Sequence, residues 1–379
     1  MTLKLKLISL SAFIAGFFLS FIWMAETVVA QSGNAARDRT IAAHFAPVFH
    51  QGLGDKKRQD YFTNFDFDGD WRGDNNWSNA DDGRFPRLAQ AYFAVSETPT
   101  HFLIHYALFH PRDYKGGEVR GPLLSEIIRQ GVKRGGRYDP TGLLGEAILA
   151  HENDMEGCLV VAAKTGTDFK QARVVFVETL AHDRFFKYIT EATTTSAGSE
   201  RAFDTVKLEA GRPLLYIEPK GHGISAYFGN DKQRPSAGLL VYKFTGRADD
   251  PEKSTQDFIG YDLVPLATTI WPRARGGENE TFGVAHLYGK RSFNVALTSN
   301  RVSKRTVNLG TLGSAFRGNK GAPNKARPPW GWFDRNDGER AQGEWFFEPA
   351  ATIKRHFNLG NDFSDAYIHA PFLSLNRKL

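Results

Sequence analysis

The sequence predicts a mainly β fold: an antiparallel β-sandwich with long loops, one or two surface helices and a C-terminal extension. Three observations carry this. From Phe45 onward, short apolar and aromatic runs alternate with Gly, Asn, Asp and Pro clusters, which punctuate strands rather than long helices. In His101–Phe109, residues Phe102, Ile104, Tyr106 and Leu108 fall on one side and His101, Leu103, His105 and Ala107 on the other, the period of two that a strand imposes. The 30 Phe and 12 Tyr suit strands packed face to face.

The chain opens with Lys4 and Lys6, then an apolar stretch from Leu7 to Ala25, then Glu26-Thr27-Val28-Val29-Ala30. This order predicts a signal peptide over residues 1–30, cut before Gln31, and hence a secreted or periplasmic protein. The apolar stretch is also long enough for an uncleaved membrane anchor, so retention at a membrane stays open. Residues 31–44 form a short amphipathic lead-in. Residues 31–290 are expected to form the sandwich, and residues 291–379, richer in Gly, Asn and Pro, an extension packed on it.

The strand candidates are, in order, Gln90–Glu97, His101–Phe109, Glu156–Ala163, Arg173–Ala181, Ala202–Leu208, Leu214–Glu218, Gly238–Phe244 and Thr281–Tyr288. Their spacing argues against a parallel α/β fold. Pro122–Val132 places Leu123, Ile127, Ile128 and Val132 at helical spacing before Gly135-Gly136, and Ala350–Phe357 is a shorter helical segment.

The formal charge is +6, and +5 once Lys4, Lys6 and Glu26 leave with the leader. Over so long a chain this is weak, and the basic stretches Arg301–Arg305 and Arg317–Arg327 contain Gly, Asn and Pro. They read as solvated loops rather than a nucleic-acid footprint, although anionic lipid or polysaccharide remains an admissible partner. Cys158 is the only cysteine. No internal disulfide can form, and its apolar neighbours Leu159-Val160-Val161 make it a core residue.

The segment Ala150-His151-Glu152-Asn153-Asp154-Met155-Glu156-Gly157-Cys158 is the main chemical signal. Asp154 and Glu156, two apart on an entering strand, point to one side, and a turn at His151 would bring its imidazole over that face. Such groups repel and lose hydration unless a cation sits among them. A divalent ion fits, with calcium or magnesium preferred and zinc or manganese permitted. The competing reading is a charged surface turn. A second acidic loop, Asp66-Phe67-Asp68-Gly69-Asp70, offers Asp66, Asp68 and Asp70 as calcium ligands. It departs from the EF-hand pattern at Trp71, and an Asx-rich turn explains it as well.

His182 ends one apolar strand and His222 sits between Gly221 and Gly223 after another, positions where loops carry binding or catalytic groups. Either is a candidate general base or oxyanion partner, and His182 could equally be a ligand or a hydrogen-bonded strand end. Phosphate loops, dinucleotide fingerprints, Gly-x-Ser-x-Gly elbows and His-Glu-x-x-His are absent, which leaves nucleotide-driven chemistry, serine hydrolysis and ordinary zinc proteolysis poorly supported.

His151, Asp154 and Glu156 resemble the first His, the Asp and the final Glu of the Gly-His-Arg-His-Asp-Trp-Glu motif of the necrosis- and ethylene-inducing peptide-like proteins, departing at Glu152, Asn153 and Met155. The upstream Tyr106–Asp113 is similar to that family's aromatic strand ending in Pro-Lys-Asp. The resemblance implies Asp113 as a fourth ligand and a bound ion that engages the head group of a glycolipid at a cell surface. A wider pattern resembles the vacuolar-protein-sorting-associated family of plants and fungi: Phe45–His50, the Asp-Glu strand, Thr179–His182 and Leu215–Gly223 in that order. Two functions follow as expectations. One is a metal-dependent glycan- or glycolipid-binding protein; the other is a metal-dependent hydrolase of an extracellular ester, phosphoester or glycan. Ions serving structure alone are the third reading.

Overall fold

The computed structural model describes residues 34–114, 150–193, 203–298, 301–321, 326–335, 342–373 and 375–376. The leader and the expected helix Pro122–Val132 lie outside the described residues.

The strands in chain order are β1 (Val48–Gly52), β2 (Gln90–Glu97), β3 (His101–Asp113), β4 (His151–Ala163), β5 (Arg173–Ala181), β6 (Arg184–Ile189), β7 (Asp204–Thr205), β8 (Leu208–Glu209), β9 (Arg212–Ile217), β10 (Ile224–Ala226), β11 (Leu239–Phe244), β12 (Ile259–Pro265), β13 (Phe282–Thr298) and β14 (Arg301–Phe316). All but β8, β13 and β14 run through one sheet in the order β10-β9-β1-β11-β12-β2-β3-β4-β5-β6-β7, with β8 beside β9. The mainly β expectation holds. Antiparallel sandwich does not, on two counts. The pairs β1–β9, β11–β12, β12–β2 and β6–β7 are parallel, so the sheet is mixed. It also curls into a half-barrel instead of stacking on a second sheet, so that β10 at one edge lies against β4 and β5.

The curl follows from sheet twist and from apolar residues on both faces of the central strands. Even-numbered residues of β3 and β4, from Phe102 to Leu108 and from Cys158 to Ala162, line the concave core with Tyr242, Tyr261, Ile217 and Phe49. The helix over residues 34–45 adds Ile41, Ala42 and Phe45 to that core. Odd-numbered residues, including Leu103, Ala107, Phe109, Met155 and Leu159, face a second core on the convex side. A strand buried on both faces carries near-continuous apolar sequence, as β3 and β4 do.

The convex core is covered by the C-terminal part of the chain and by the long β13–β14 hairpin, which runs through residue 290. Trp330, Trp332, Trp345, Phe346 and Phe347 are buried there. Their indole nitrogens find acceptors: Trp330 Nε1 on the Gly313 carbonyl at 2.6 Å, Trp332 Nε1 on Met155 at 3.0 Å, and Trp345 Nε1 on Glu178 Oε2 at 2.7 Å. Trp332 comes so close to β4 that a Cβ at Gly157 would stand 2.3 Å from its ring, so position 157 needs glycine. The expected helix Ala350–Phe357 appears as Pro349–His356. Cys158 is buried in the concave core.

Candidate metal centre

The concave face of β3 changes character at its end. After Phe102, Ile104, Tyr106 and Leu108, the next residue on that face is His110. In the antiparallel register, His110 stands opposite Asp154 and Leu108 opposite Glu156. Alternation thus carries an imidazole and two carboxylates onto one surface at the mouth of the half-barrel.

The third element is the turn after β9. Its backbone is tightly held: Glu218 N–H donates to the Gly223 carbonyl at 3.0 Å, Tyr114 N–H to the Lys220 carbonyl at 3.0 Å, and Lys220 N–H to Asp60 Oδ1 at 2.7 Å. Lys220 and His222 themselves take left-handed backbone angles, with φ 71° and 53°, conformations that non-glycine residues adopt at some cost and that cluster at functional sites. Gly223 is required for a different reason than backbone freedom: a Cβ there would lie 2.8 Å from that of Ala181 and 2.9 Å from Glu218 Oε1.

This turn drives the His222 ring flat onto His110, with centroids 3.7 Å apart and planes 2° from parallel. His222 Nδ1 lies 2.9 Å from Asp154 Oδ2, and Nε2 lies 3.5 Å from Asp60 Oδ1. Asp60 also accepts from Gly54 N–H at 2.7 Å and from the Tyr114 hydroxyl at 2.8 Å. Burial by itself lowers the basicity of His222, but Asp154 and Asp60 outweigh it and hold the imidazole up at about 9. His110 goes the other way. Burial, then the charges of His222 and Arg87, push it well below the ordinary range, against a weak opposing effect of the Asp60 backbone. At neutral pH a protonated imidazole therefore lies on a neutral one, between two carboxylates. Neither ring nitrogen of His110 has a partner of hydrogen-bond geometry.

Ligand atoms of His110, Asp154 and His222 lie within 4.8 Å of one another, all three residues buried. Among the described residues this is the one His, Cys, Asp and Glu group of that kind.

The sequence-derived candidates distribute around this centre. Asp154 is in it, and so is His222, which the sequence offered as a base. Glu156 lies on the same face, but Oε1 accepts the backbone N–H of His182 at 3.0 Å, fixing the turn between β5 and β6 where His182 takes φ 64°. His182 Nε2 then meets Glu218 Oε1 at 2.6 Å, both side chains partly exposed. His151 and Asp113 are brought together as a cross-strand pair, Nε2 to Oδ2 3.7 Å, while His151 Nδ1 is 2.7 Å from the Asn153 carbonyl. Asn153 has φ 60°. It and Glu152 act as anchors: Asn153 Nδ2 donates to the carbonyls of Gly73 and Arg317, each at 2.7 Å, and Glu152 accepts from Trp77 and Asn319 N–H, each at 2.6 Å.

Asp66, Asp68 and Asp70 do not converge. Asp66 accepts from Asn64 at 2.8 Å, Asp68 from Asn79 at 2.7 Å and from Asp70 N–H at 3.3 Å, and Asp70 from Arg72 N–H at 2.7 Å and Asn75 at 3.0 Å. The two backbone bonds, to Asp68 and Asp70, are those of Asx turns; the other three come from Asn side chains. Sequence reasoning missed His110 and Asp60. Extending the β3 alternation by one step would have found His110; Asp60 has no local pattern.

No protein-family model matches the chain, and no curated protein matches it. Among solved structures it is similar to one described as a toxin fold for microbial attack and plant defense, at 15 % identity over 52 % of this chain and 71 % of that chain, TM-score 0.28. It is similar to the necrosis and ethylene inducing protein 2 from the causal agent of cocoa's Witches Broom disease, at 15 % identity over 60 % and 73 %, TM-score 0.28. NLPPya in complex with mannosamine matches at 12 % identity over 60 % and 72 %, TM-score 0.27. These neighbours are necrosis- and ethylene-inducing proteins, and likeness at this level assigns no function. The resemblance to vacuolar-protein-sorting-associated proteins finds no support among them.

Proposed function

We propose that the protein holds a divalent cation between His110, Asp154 and His222, and that the lip of this site binds the head group of a glycan or glycolipid. One observation supports the ion above the rest: buried ligand atoms of three residues from three separate elements lie within 4.8 Å, and both nitrogens of one of them, His110, lack a hydrogen-bond partner. Buried polar atoms left unpaired call for an explanation, and a cation supplies it.

The donor types fit an ion, but the parallel rings of His110 and His222, 3.7 Å apart, aim their lone pairs along parallel lines, so one ring must turn for both to meet the same cation. Two ligand atoms each about 2.1 Å from a metal stand about 3 Å apart at a right angle, close to the 2.9 Å between His222 Nδ1 and Asp154 Oδ2. Two imidazoles with one carboxylate suit zinc or manganese better than calcium or magnesium, which prefer oxygen. When bound, the cation would replace the proton of His222 and fasten β3, β4 and the turn after β9 to one another. Asp60 would keep the far nitrogen of His222 oriented, as carboxylates do behind metal-bound histidine.

The lip is made by the His182–Glu218 pair and by Lys220, whose Nζ reaches Asp55 at 3.3 Å. These are partly exposed planar and charged groups, suited to sugar hydroxyls. Glu156 links lip and centre by holding the backbone of His182. A second reading keeps the ion and makes His182 a general base for hydrolysis, favoured by its 2.6 Å contact with Glu218. His222 does not serve that role in this reading, because it holds the ion.

The test is a glycan array probed with the protein, metal-loaded and chelated, beside His182→Ala. Binding that disappears on chelation and in His182→Ala, with metal content intact in that variant, supports the reading. Glycan binding unchanged by chelation, or cleavage of an ester or glycan abolished by His182→Ala without any retained ligand, overturns the binding reading.

A further inference from the structure

The β13–β14 hairpin is larger than the fold needs. One face is anchored along its length: Phe282, Phe293, Leu309, Leu312 and Phe316 are buried in the convex core, and close to the tip the Ala296 N–H and the Asn294 carbonyl pair with Tyr367. The ladder closes at Thr298 opposite Arg301, and its other face carries side chains outward.

Those side chains have an unusual balance. Between Phe282 and Phe316 the chain carries Lys290, Arg291, Arg301, Lys304 and Arg305 and no Asp or Glu. Arg291 turns inward, donating to the Gln342 carbonyl at 3.0 Å and lying over the rings of Tyr288 and Phe347. The other four are exposed, and among the described residues none of them is in an ion pair. Aliphatic groups stand among them: Leu287, Val302 and Leu297 are 70 %, 56 % and 42 % exposed. On the outer face, Lys290 pairs across the ladder with Asn308, Ser292 with Thr306, and Asn294 with Lys304.

Cations alone would suit any polyanion. Cations interleaved with exposed aliphatic chains suit one kind of surface, where apolar groups enter an acyl boundary while bases remain among anionic head groups. Nucleic acid would ask instead for aromatic stacking groups, and none is exposed on this face. We infer that the outer face and distal end of the hairpin, through Lys290, Leu297, Arg301, Val302 and Lys304, dock on an anionic lipid bilayer. Unpaired bases on an edge also deter strand addition, a role that needs no lipid, and the test separates the two.

The full chain is sedimented with vesicles of phosphatidylcholine, with and without phosphatidylserine, in the presence of a chelator so that the metal centre plays no part. The protein pellets with the phosphatidylserine vesicles only and is released by salt. Lys290→Glu/Arg301→Glu/Lys304→Glu lowers the partition by more than about a hundredfold, since each base near such a surface contributes about one kcal/mol and each Glu adds repulsion. Leu297→Ser/Val302→Ser weakens it while leaving its salt dependence. Lys290→Gln/Lys304→Gln provides a milder charge variant should the triple one misfold. Equal pelleting with both vesicles, full binding by the charge variants, or binding to soluble heparin with none to vesicles overturns the inference.

Discussion

The imidazole rings of His110 and His222 lie parallel, 2° from coplanar in orientation and 3.7 Å apart, one neutral and the other protonated. An imidazole whose folded value, about 9, stands above its ordinary 6.5 adds stability that is complete below pH 6.5 and lost as pH rises through 9. Chelated protein is therefore expected to lose thermal stability between these limits, and Asp154→Asn to remove most of that dependence. Unfolding scans from neutral to alkaline pH check it.

Cation binding has the opposite sign. The ion competes with the His222 proton, so its apparent affinity falls about tenfold for each pH unit below 9, and about one proton leaves per ion bound. Calorimetric titration in buffers of different ionisation enthalpy reads that proton directly.

Acid weakens the fold elsewhere. Burial holds His105 at about 3, and burial with Lys164 nearby holds His101 at about 4. Both are neutral when folded and gain a proton more readily when unfolded, so stability is full above pH 6.5 and falls as pH drops toward 4. His105 Nε2 donates to the Trp345 carbonyl at 3.1 Å, a bond that survives protonation, but the charge this creates is buried beneath the C-terminal cover and loosens it. Near-UV circular dichroism, reporting that tryptophan, is expected to change over this range, and less in His105→Gln.

Gly157→Ala places a methyl against Trp332 and 2.5 Å from the Tyr106 carbonyl. A loss of about 1–3 kcal/mol is expected, measured by urea unfolding, together with weaker metal binding because Glu156 and Asp154 share the strand.

Much of the fold was legible. Gln90–Glu97 and Arg173–Ala181 match β2 and β5 to the residue, because a short apolar run bounded by polar residues leaves little freedom in where a strand begins. The candidate Ala202–Leu208 shrinks to the short β7 and β8, since Val206 alone is buried there. Parallel pairing was not legible: Val48–Gly52 shows which of its faces is apolar, not that β9 runs beside it in the same direction. The same limit hid the curl, which depends on β10 meeting β5 across the sheet. At the site, Asp154 was visible through its spacing to Glu156. The partners of Asp154 lie 44 residues upstream and 68 downstream, and only the folded chain brings them together. His151 and Asp113 illustrate the converse, since proximity in the motif yields a cross-strand pair beside the centre.

The most direct test of the central claim is elemental analysis of the full chain, dialysed against zinc, manganese, calcium and magnesium, beside His110→Gln/Asp154→Asn. About one equivalent of a divalent metal in the parent, absent from a variant with an unchanged far-ultraviolet spectrum, is the predicted result. Equal metal in both, or none in either, would contradict it and leave His222 bridging Asp154 and Asp60 by its proton alone.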